Sequence, residues 1–276
     1  MTYKRINPTP ALSDLVEYFG IQVSDELSDA VTRVLPTNQH DLLIHFADPF
    51  KHHDADSVTT EPIAHLCGQR TKPYTVSASG QTGIVVCSFF PWAVSELSSV
   101  SMSYITDTTV EAQEIFNGIQ PVIERILCSE SHEAKIKLLE DYLLSLLKKP
   151  DLLIRRGTEL LRHQNLNIRE LSDSLGISKR QLDRRFMAAT GLTPKTFARV
   201  TRFQQALSFR HHHLSPANIA THCGYYDQAH MNRDIKLMGG KTPKQILNQS
   251  DSTPLLSRFN APNLNVSRFY NTLYLQ

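Results

Sequence analysis

No two cysteines of this chain lie close enough in sequence to form a C-x-x-C pair; Cys67, Cys87, Cys128 and Cys223 are scattered. That spacing excludes the usual zinc-cluster and thioredoxin-type redox patterns. The four thiols are expected to be small buried hydrophobes, as free cysteines usually are. Also missing are a G-x-S-x-G nucleophile elbow, a phosphate-cradling glycine loop and an H-E-x-x-H helix. No catalytic residue, metal ligand or cofactor is therefore assigned, and the chain is not expected to be an enzyme. No stretch approaches the roughly 20 apolar residues of a membrane span. The N-terminus, Met1 to Pro8, runs directly into polar sequence without the apolar core of a signal peptide. A cytoplasmic protein with no membrane partner is expected.

The net charge of +2 conceals an asymmetry. Residues 1–150 carry 11 Lys+Arg against 19 Asp+Glu, a net of −8. Residues 151–250 carry 16 against 7, a net of +9, and residues 251–276 add +1. A basic half joined to an acidic half is what a nucleic-acid module attached to a separate domain would show. Chance patchiness would have to account for a swing of 17 charges.

Strand-like runs fill the first 120 residues. Asp41–Ala47 is apolar and ends at Asp48-Pro49, and Gly83–Phe90 is rich in β-branched and aromatic residues and closes on Pro91. Ile63–Leu66 and Tyr74–Val76 are two shorter runs. Lys51–Ser57 reads as a polar loop and Ser77–Gly83 as a turn. The fold class expected is α+β, with an N-terminal β-rich sensing domain (a small sheet or barrel plus helices) followed by an all-α domain. From about Val110 the period becomes helical. Leu139, Tyr142, Leu143, Leu146 and Leu147 form one apolar face on a helix that Ser131 starts and Pro150 ends. That face packs either on its own domain or on a second copy. Three segments follow: 1–149, a β-rich domain to which the family resemblance described below assigns effector binding or dimerisation; 150–250, a DNA-binding domain; and 251–276, an aromatic-rich tail.

The basic half repeats one pattern. Ile168 to Phe186 and Ile219 to Ile235 each hold a short amphipathic helix, a glycine (Gly176, Gly224), an apolar residue (Ile177, Tyr225) and a polar helix start. A helix-turn-helix needs this arrangement, because the chain turns left-handed at the bend and the two helices approach closely. Ser178 and Asp227 suit the N-caps. Leu182 and Phe186, and Met231 and Ile235, point inward and leave the opposite face for a major groove. The first face carries Lys179, Arg180, Gln181, Asp183, Arg184 and Arg185; the second carries Gln228, His230, Asn232, Arg233 and Lys236. Arg can pair with guanine, Gln or Asn with adenine, and a carboxylate can accept from cytosine. Arg180, Arg184, Gln228, Asn232 and Arg233 are expected at base edges. Lys179, Arg185 and Lys236 are expected at phosphates, where half or more of protein–DNA hydrogen bonds go. The bland reading of the first face is an i, i+4 pair of Lys179 with Asp183 beside solvated arginines. Between the motifs a helix starting at Thr193-Pro194 would fix the separation of the two heads.

The most specific segment reads Arg202-x-x-x-Ala206, then Ile219-Ala220-x-x-x-Gly224-Tyr225-x-Asp227-x-x-His230-Met231-x-Arg233-x-Ile235-Lys236, then Gly239-Gly240-x-Thr242-Pro243. It resembles the AraC/XylS family of transcriptional regulators over residues 152–250. The family usually has Ser, Phe and Phe where this chain has Ala229, Met231 and Ile235, swaps that keep apolar packing at the last two. Residues 30–147 are similar to one type of N-terminal domain found with this module, through Leu35-Pro36, Gly68-x-x-Thr71 and Phe89-Phe-Pro-Trp-Ala93. The resemblance implies a sequence-specific regulator with double-stranded DNA as partner, a small-molecule effector, a second copy of the chain, and RNA polymerase if it is an activator.

The rival reading is an enzyme or metal-binding protein whose β-rich domain carries the chemistry. It would need two or three histidines and a carboxylate converging from adjacent strands. His40, His45, His52, His53 and His65 are available with Asp41, Asp48, Asp54 and Asp56, but no H-x-H spacing joins them. Trp92 either lines a pocket or simply packs. The run His211–His213 is expected to be solvated or phosphate-facing.

Overall fold

The computed structural model describes residues 2–25, 31–164, 166–209 and 214–247. Ten strands fall in the first half: β1 (Thr2–Ile6), β2 (Val16–Ser24), β3 (Thr32–Val34), β4 (His40–His45), β5 (Lys51–His53), β6 (Val58–Thr60), β7 (Ala64–Cys67), β8 (Tyr74–Ser77), β9 (Thr82–Phe89) and β10 (Thr109–Glu111). They form two antiparallel sheets, a six-stranded one in the order β1-β2-β9-β4-β7-β10 and a four-stranded one in the order β3-β8-β5-β6.

Strand β9 is buried at every position because it lies between β2 and β4 with both faces covered. Its continuous apolar run is the pattern such a strand needs. Alternation along the strands divides the interior into two cores. Leu43, Ile84, Val86 and Cys67 join Phe50, Val76 and Ala78 between the two sheets. Leu42, Ile44, Leu66, Val85 and Cys87 face the other way, toward the helices.

Eleven helices are described: α1 (Ala93–Leu97), α2 (Ala112–Ile115), α3 (Gln120–Cys128), α4 (His132–Ser145), α5 (Leu152–His163), α6 (Ile168–Ser174), α7 (Lys179–Thr190), α8 (Pro194–Ser208), α9 (Pro216–His222), α10 (Gln228–Gly239) and α11 (Pro243–Leu247). Ser131 caps α4 through the Ala134 amide, and Leu139, Tyr142 and Leu143 are buried on the same chain's core. The helix ends at Ser145, before the position predicted from Pro150, and Leu147 is exposed. The chain must leave the helix there, since the residue before a proline avoids helical backbone and Asp151 already caps α5. A second difference concerns residues 51–57. Lys51–His53 and Val58–Thr60 pair as an edge hairpin closed by Asp54 N–H to Ser57 O (2.9 Å). Their polarity reflects an exposed edge, where charge and polar side chains keep other strands away. The expectations for His211–His213 and for residues 251–276 lie outside the described residues.

One hydrophobic core runs from the six-stranded sheet through α3 and α4 into the C-terminal helices. Polar contacts pin this junction. The Glu96 carboxylate, 6% exposed, receives Arg155 through two bonds (Nε–Oε1 2.9 Å, Nη2–Oε2 2.5 Å) and also the Asp151 amide (3.1 Å). Asn38 donates to Thr201 Oγ1 (2.6 Å) and to Phe197 O (3.3 Å) on α8, and Gln204 donates to Pro36 O. Trp92 does both things expected of it: it stacks on Phe90 at 5.0 Å with its indole N–H donating to Asp14 O (3.0 Å), and it lines a groove at the junction.

Removing one partner of a buried ion pair strands the other, so Glu96→Ala should destabilise the folded chain by about 3–5 kcal/mol. Urea unfolding of both forms measures this; a loss under 1 kcal/mol would show that the junction does not hold the halves together. A second expectation concerns pH. His40 is fully buried, and burial lowers its pKa to about 3 from the 6.5 of a free imidazole. The unfolded chain therefore binds the proton first as pH falls, and stability drops between pH 6.5 and 3 by up to about 1.4 kcal/mol per pH unit. His40→Leu should flatten that part of a stability–pH profile, and an unchanged slope would assign it to other groups.

Candidate nucleic-acid interface

Each helix-turn-helix is built by its own caps and by one left-handed glycine. In the first, Asn167 caps α6 and Gly176 turns the chain at φ +65°. Ser178 then caps α7 in a reciprocal box, Ser178 Oγ accepting the Gln181 amide and Gln181 Oε1 accepting the Ser178 amide. Leu171, Leu182 and Phe186 are fully buried beneath it, and the Phe186 ring meets Phe197 edge-on at 5.3 Å. In the second, Ser215 caps α9, Gly224 turns at φ +70°, and Asp227 caps α10 through the His230 amide at 2.6 Å. Met231 and Ile235 are fully buried. Burial pushes the Cys223 thiol up to about 12, so it stays protonated and acts as a small hydrophobe.

Helix α8 joins the two units. Arg199 on α8 binds Asp234 on α10 at 2.7 Å, and Asp234 is 3% exposed. This buried pair holds the second unit at a fixed angle to the connecting helix. Asp234 gave no sign in the sequence, since a single acid in a basic helix reads as a solvated charge.

On α7, Lys179, Arg180, Gln181 and Arg184 are exposed, with Asp183 and Arg185 half-buried. Gln181 uses its carbonyl oxygen on the cap. Arg185 points back and binds both oxygens of Asp151 (2.7 and 2.8 Å), the cap of α5. On α10, Gln228, Arg233 and Lys236 are exposed, while His230 and Asn232 are half-buried. The His230 ring lies edge-on to Tyr225 at 5.3 Å with Nε2 3.9 Å from Asp234, so it belongs to the packing behind the face. The exposed side chains of the two faces are Lys179, Arg180, Gln181 and Arg184 on the first head and Gln228, Arg233 and Lys236 on the second.

The far ends of both heads touch the N-terminal half. Gly191, the left-handed C-cap of α7, has its carbonyl bonded by Thr106. At the end of α10, Arg33 donates to Gly239 O (3.1 Å), and a Cβ on the cap Gly240 would lie 3.0 Å from Arg33 and 3.3 Å from Pro73. The acidic domain thus spans the two reading helices.

Residues 171–249, both helix-turn-helix units together, match a family model described as a helix-turn-helix domain. The match identifies this segment as a helix-turn-helix domain. The chain is a DNA-binding transcriptional regulator. Residues 4–111 match a model described as a domain of unknown function (DUF6597). Among solved structures, the chain is similar to unsaturated-fatty-acid-bound ToxT of Vibrio cholerae strain SCE256, at 11% identity and TM-score 0.49, covering 85% of this chain and 96% of that one. ToxT of Vibrio cholerae O395 gives 12% identity and TM-score 0.47 over 85% and 99%. The AraC-like transcriptional activator CuxR gives 13% and 0.24 over 75% and 95%. No curated protein matches the chain. Among the described residues, no helix is long and apolar enough to cross a membrane.

Because Asp234 is buried while Arg199 keeps access to solvent, Asp234→Ala should lower stability by about 1–2 kcal/mol through the lost charge-assisted hydrogen bonds. Thermal unfolding followed by circular dichroism checks it, and a midpoint equal to wild type would remove the pair from the architecture of the second unit.

Proposed function

We propose that the chain recognises a specific DNA sequence by laying α7 and α10 into successive major grooves on one side of the duplex, about one helical turn apart. Support comes from two capped helices of the same construction, outward-facing Arg180, Arg184, Gln228 and Arg233, and one connecting helix locked to the second head by Arg199–Asp234. Arg180 and Arg184 read bases in the first groove; Gln228, Arg233 and the neighbouring Asn232 read them in the second. Lys179 and Lys236 hold phosphates, and Arg185 adds to that positive rim only if it leaves Asp151.

In this reading residues 1–149 form the regulatory domain, 150–250 the DNA-binding domain and 251–276 a tail, and the chain works in the cytoplasm as a regulator with no reaction of its own. Thr106–Gly191 and Arg33–Gly239 couple the regulatory domain to both heads, so anything that shifts that domain shifts their spacing. A small-molecule effector acts by binding one spacing better than the other, which is the only way a ligand can move such an equilibrium. A groove of about 610 Å³ at the junction, lined by Trp92, Leu152 and Leu160 and by Arg155 and Arg156 facing Asp14 and Glu159, has the volume of a small-molecule site with apolar and charge-balanced walls. A second copy of the chain and RNA polymerase are the protein partners this role calls for.

A footprint over the DNA upstream of the chain's own gene and its neighbours tests the reading. Arg184→Ala should cost roughly 1–3 kcal/mol and relax preference at one base pair. Lys236→Ala should weaken all sequences alike and reduce the salt slope by about one. Equal losses on specific and random DNA for Arg184→Ala would contradict base reading by α7.

A further inference from the structure

Inside the β-rich domain, His45, Glu61 and His65 converge, all buried, with one ligand-type atom of each within 4.8 Å of the others. Pairing of β4 with β7 creates the cluster. Leu43 stands opposite His65, and His45 N–H bonds to Ile63 O (2.7 Å) one step beyond, so both imidazoles project from the same face. Glu61 reaches the pair from the turn that leads into β7. Its Oε2 lies 3.7 Å from His45 Nε2 and 3.6 Å from His65 Nε2. These separations are too long for hydrogen bonds. Both Nε2 atoms are buried and have no hydrogen-bond partner among the described residues.

The tautomer of His65 sharpens the point. Its Nδ1 lies 2.9 Å from Pro62 O, and a carbonyl oxygen can only accept, so the ring proton sits on Nδ1. With Nδ1 donating, Nε2 of His65 faces a carboxylate oxygen across 3.6 Å, wider than a shared proton bridges. A larger cation between the two atoms would satisfy both. A backbone carbonyl holding the far nitrogen is also the usual outer-shell device around a metal-bound histidine. An ion bound at about 2.0–2.2 Å sets neighbouring ligand atoms roughly 3.0–3.5 Å apart, a few tenths of an ångström less than the two Glu61–imidazole separations, while the two imidazoles lie within 4.8 Å of each other and would close by rotation.

We propose that His45 Nε2, Glu61 Oε2 and His65 Nε2 bind one divalent transition-metal ion of the zinc type inside the regulatory domain. Two imidazoles and one carboxylate are a donor set for such ions, and a site of three protein ligands keeps a position open. Glu61 also forms part of the wall of a cavity of about 40 Å³ between the sheets, shared with Phe50, Cys67 and Tyr74, with room for a water beside the carboxylate on the side away from the two imidazoles. His52, with Nδ1 3.9 Å from Glu61 Oε1, is the nearest further donor. The ion fastens the turn at Glu61-Pro62 to β4 and so ties the edge of the smaller sheet to the larger one. The site does not depend on the DNA-reading proposal, and either can fail alone.

The test uses the full chain carrying His211→Ala, His212→Ala and His213→Ala, which removes the histidine run as a competing chelator. After chelator treatment and dialysis, titration with Zn²⁺ should show one ion per chain. Co²⁺ should give the visible absorption of a low-coordinate nitrogen–oxygen site. Glu61→Gln and His65→Ala should each weaken binding by at least about 30-fold while retaining the wild-type circular dichroism. His65→Cys should keep the ion and add a sulfur-to-cobalt charge-transfer band, which only direct ligation produces. If the substituted chains fail to fold, X-ray absorption at the zinc edge of the parent should report two imidazoles in the first shell. No stoichiometric ion, binding indifferent to Glu61→Gln, or a first shell without two imidazoles overturns the site.

Discussion

The Glu96 carboxylate is the group on which the relation between the two halves depends. It is buried at the end of α1 and satisfied by Arg155 and by the backbone of Asp151. Asp151 in turn caps α5 and binds Arg185 on the first reading helix. A continuous path of charge-assisted hydrogen bonds therefore leads from the N-terminal domain to the first helix-turn-helix unit in three side chains. Such bonds are strong and directional because each has at least one ionised partner.

The two ends of the reading unit are held differently. The first head is attached through ion pairs at its middle and through Thr106 at its C-cap; the second is attached to α8 by Arg199–Asp234 and to the acidic domain by Arg33. Shared hydrophobic burial makes the junction firm. The polar contacts define its register, since each of Asn38, Gln204 and Arg33 reaches one particular backbone carbonyl. A rigid spacer with specific latches at both ends suits a protein that must present two helices at the repeat of the double helix.

Much of this was legible locally. Ser178, Asp227, Gly176 and Gly224 mark the helix-turn-helix units because capping and left-handed turns are properties of a few adjacent residues. Strands β4, β7, β8 and β9 were likewise visible as short apolar runs. Strand β2 was not, although it is almost wholly buried. Glu17, Gly20 and Gln22 interrupt its pattern, and its stability comes from pairing with β1 and β9. The polar β5–β6 hairpin read as a loop for a similar reason, since an edge pair has no apolar face to declare it.

By itself the sequence determined the doubled DNA-reading motif, the inward and outward faces of its helices, and the separation of charge between the halves. The motif and its faces follow from periodicity and chemistry within about twenty residues, and the charge separation follows from composition alone. Only the tertiary structure decided which outward residues remain free. Arg185 and His230 are drawn into contacts with Asp151, Tyr225 and Asp234 that no local spacing encodes. It alone brought His45 beside His65 and set Glu61 against both, through cross-strand register. A strand repeats every two residues whatever its neighbour is, so the sequence can name a face but not the residue across from it.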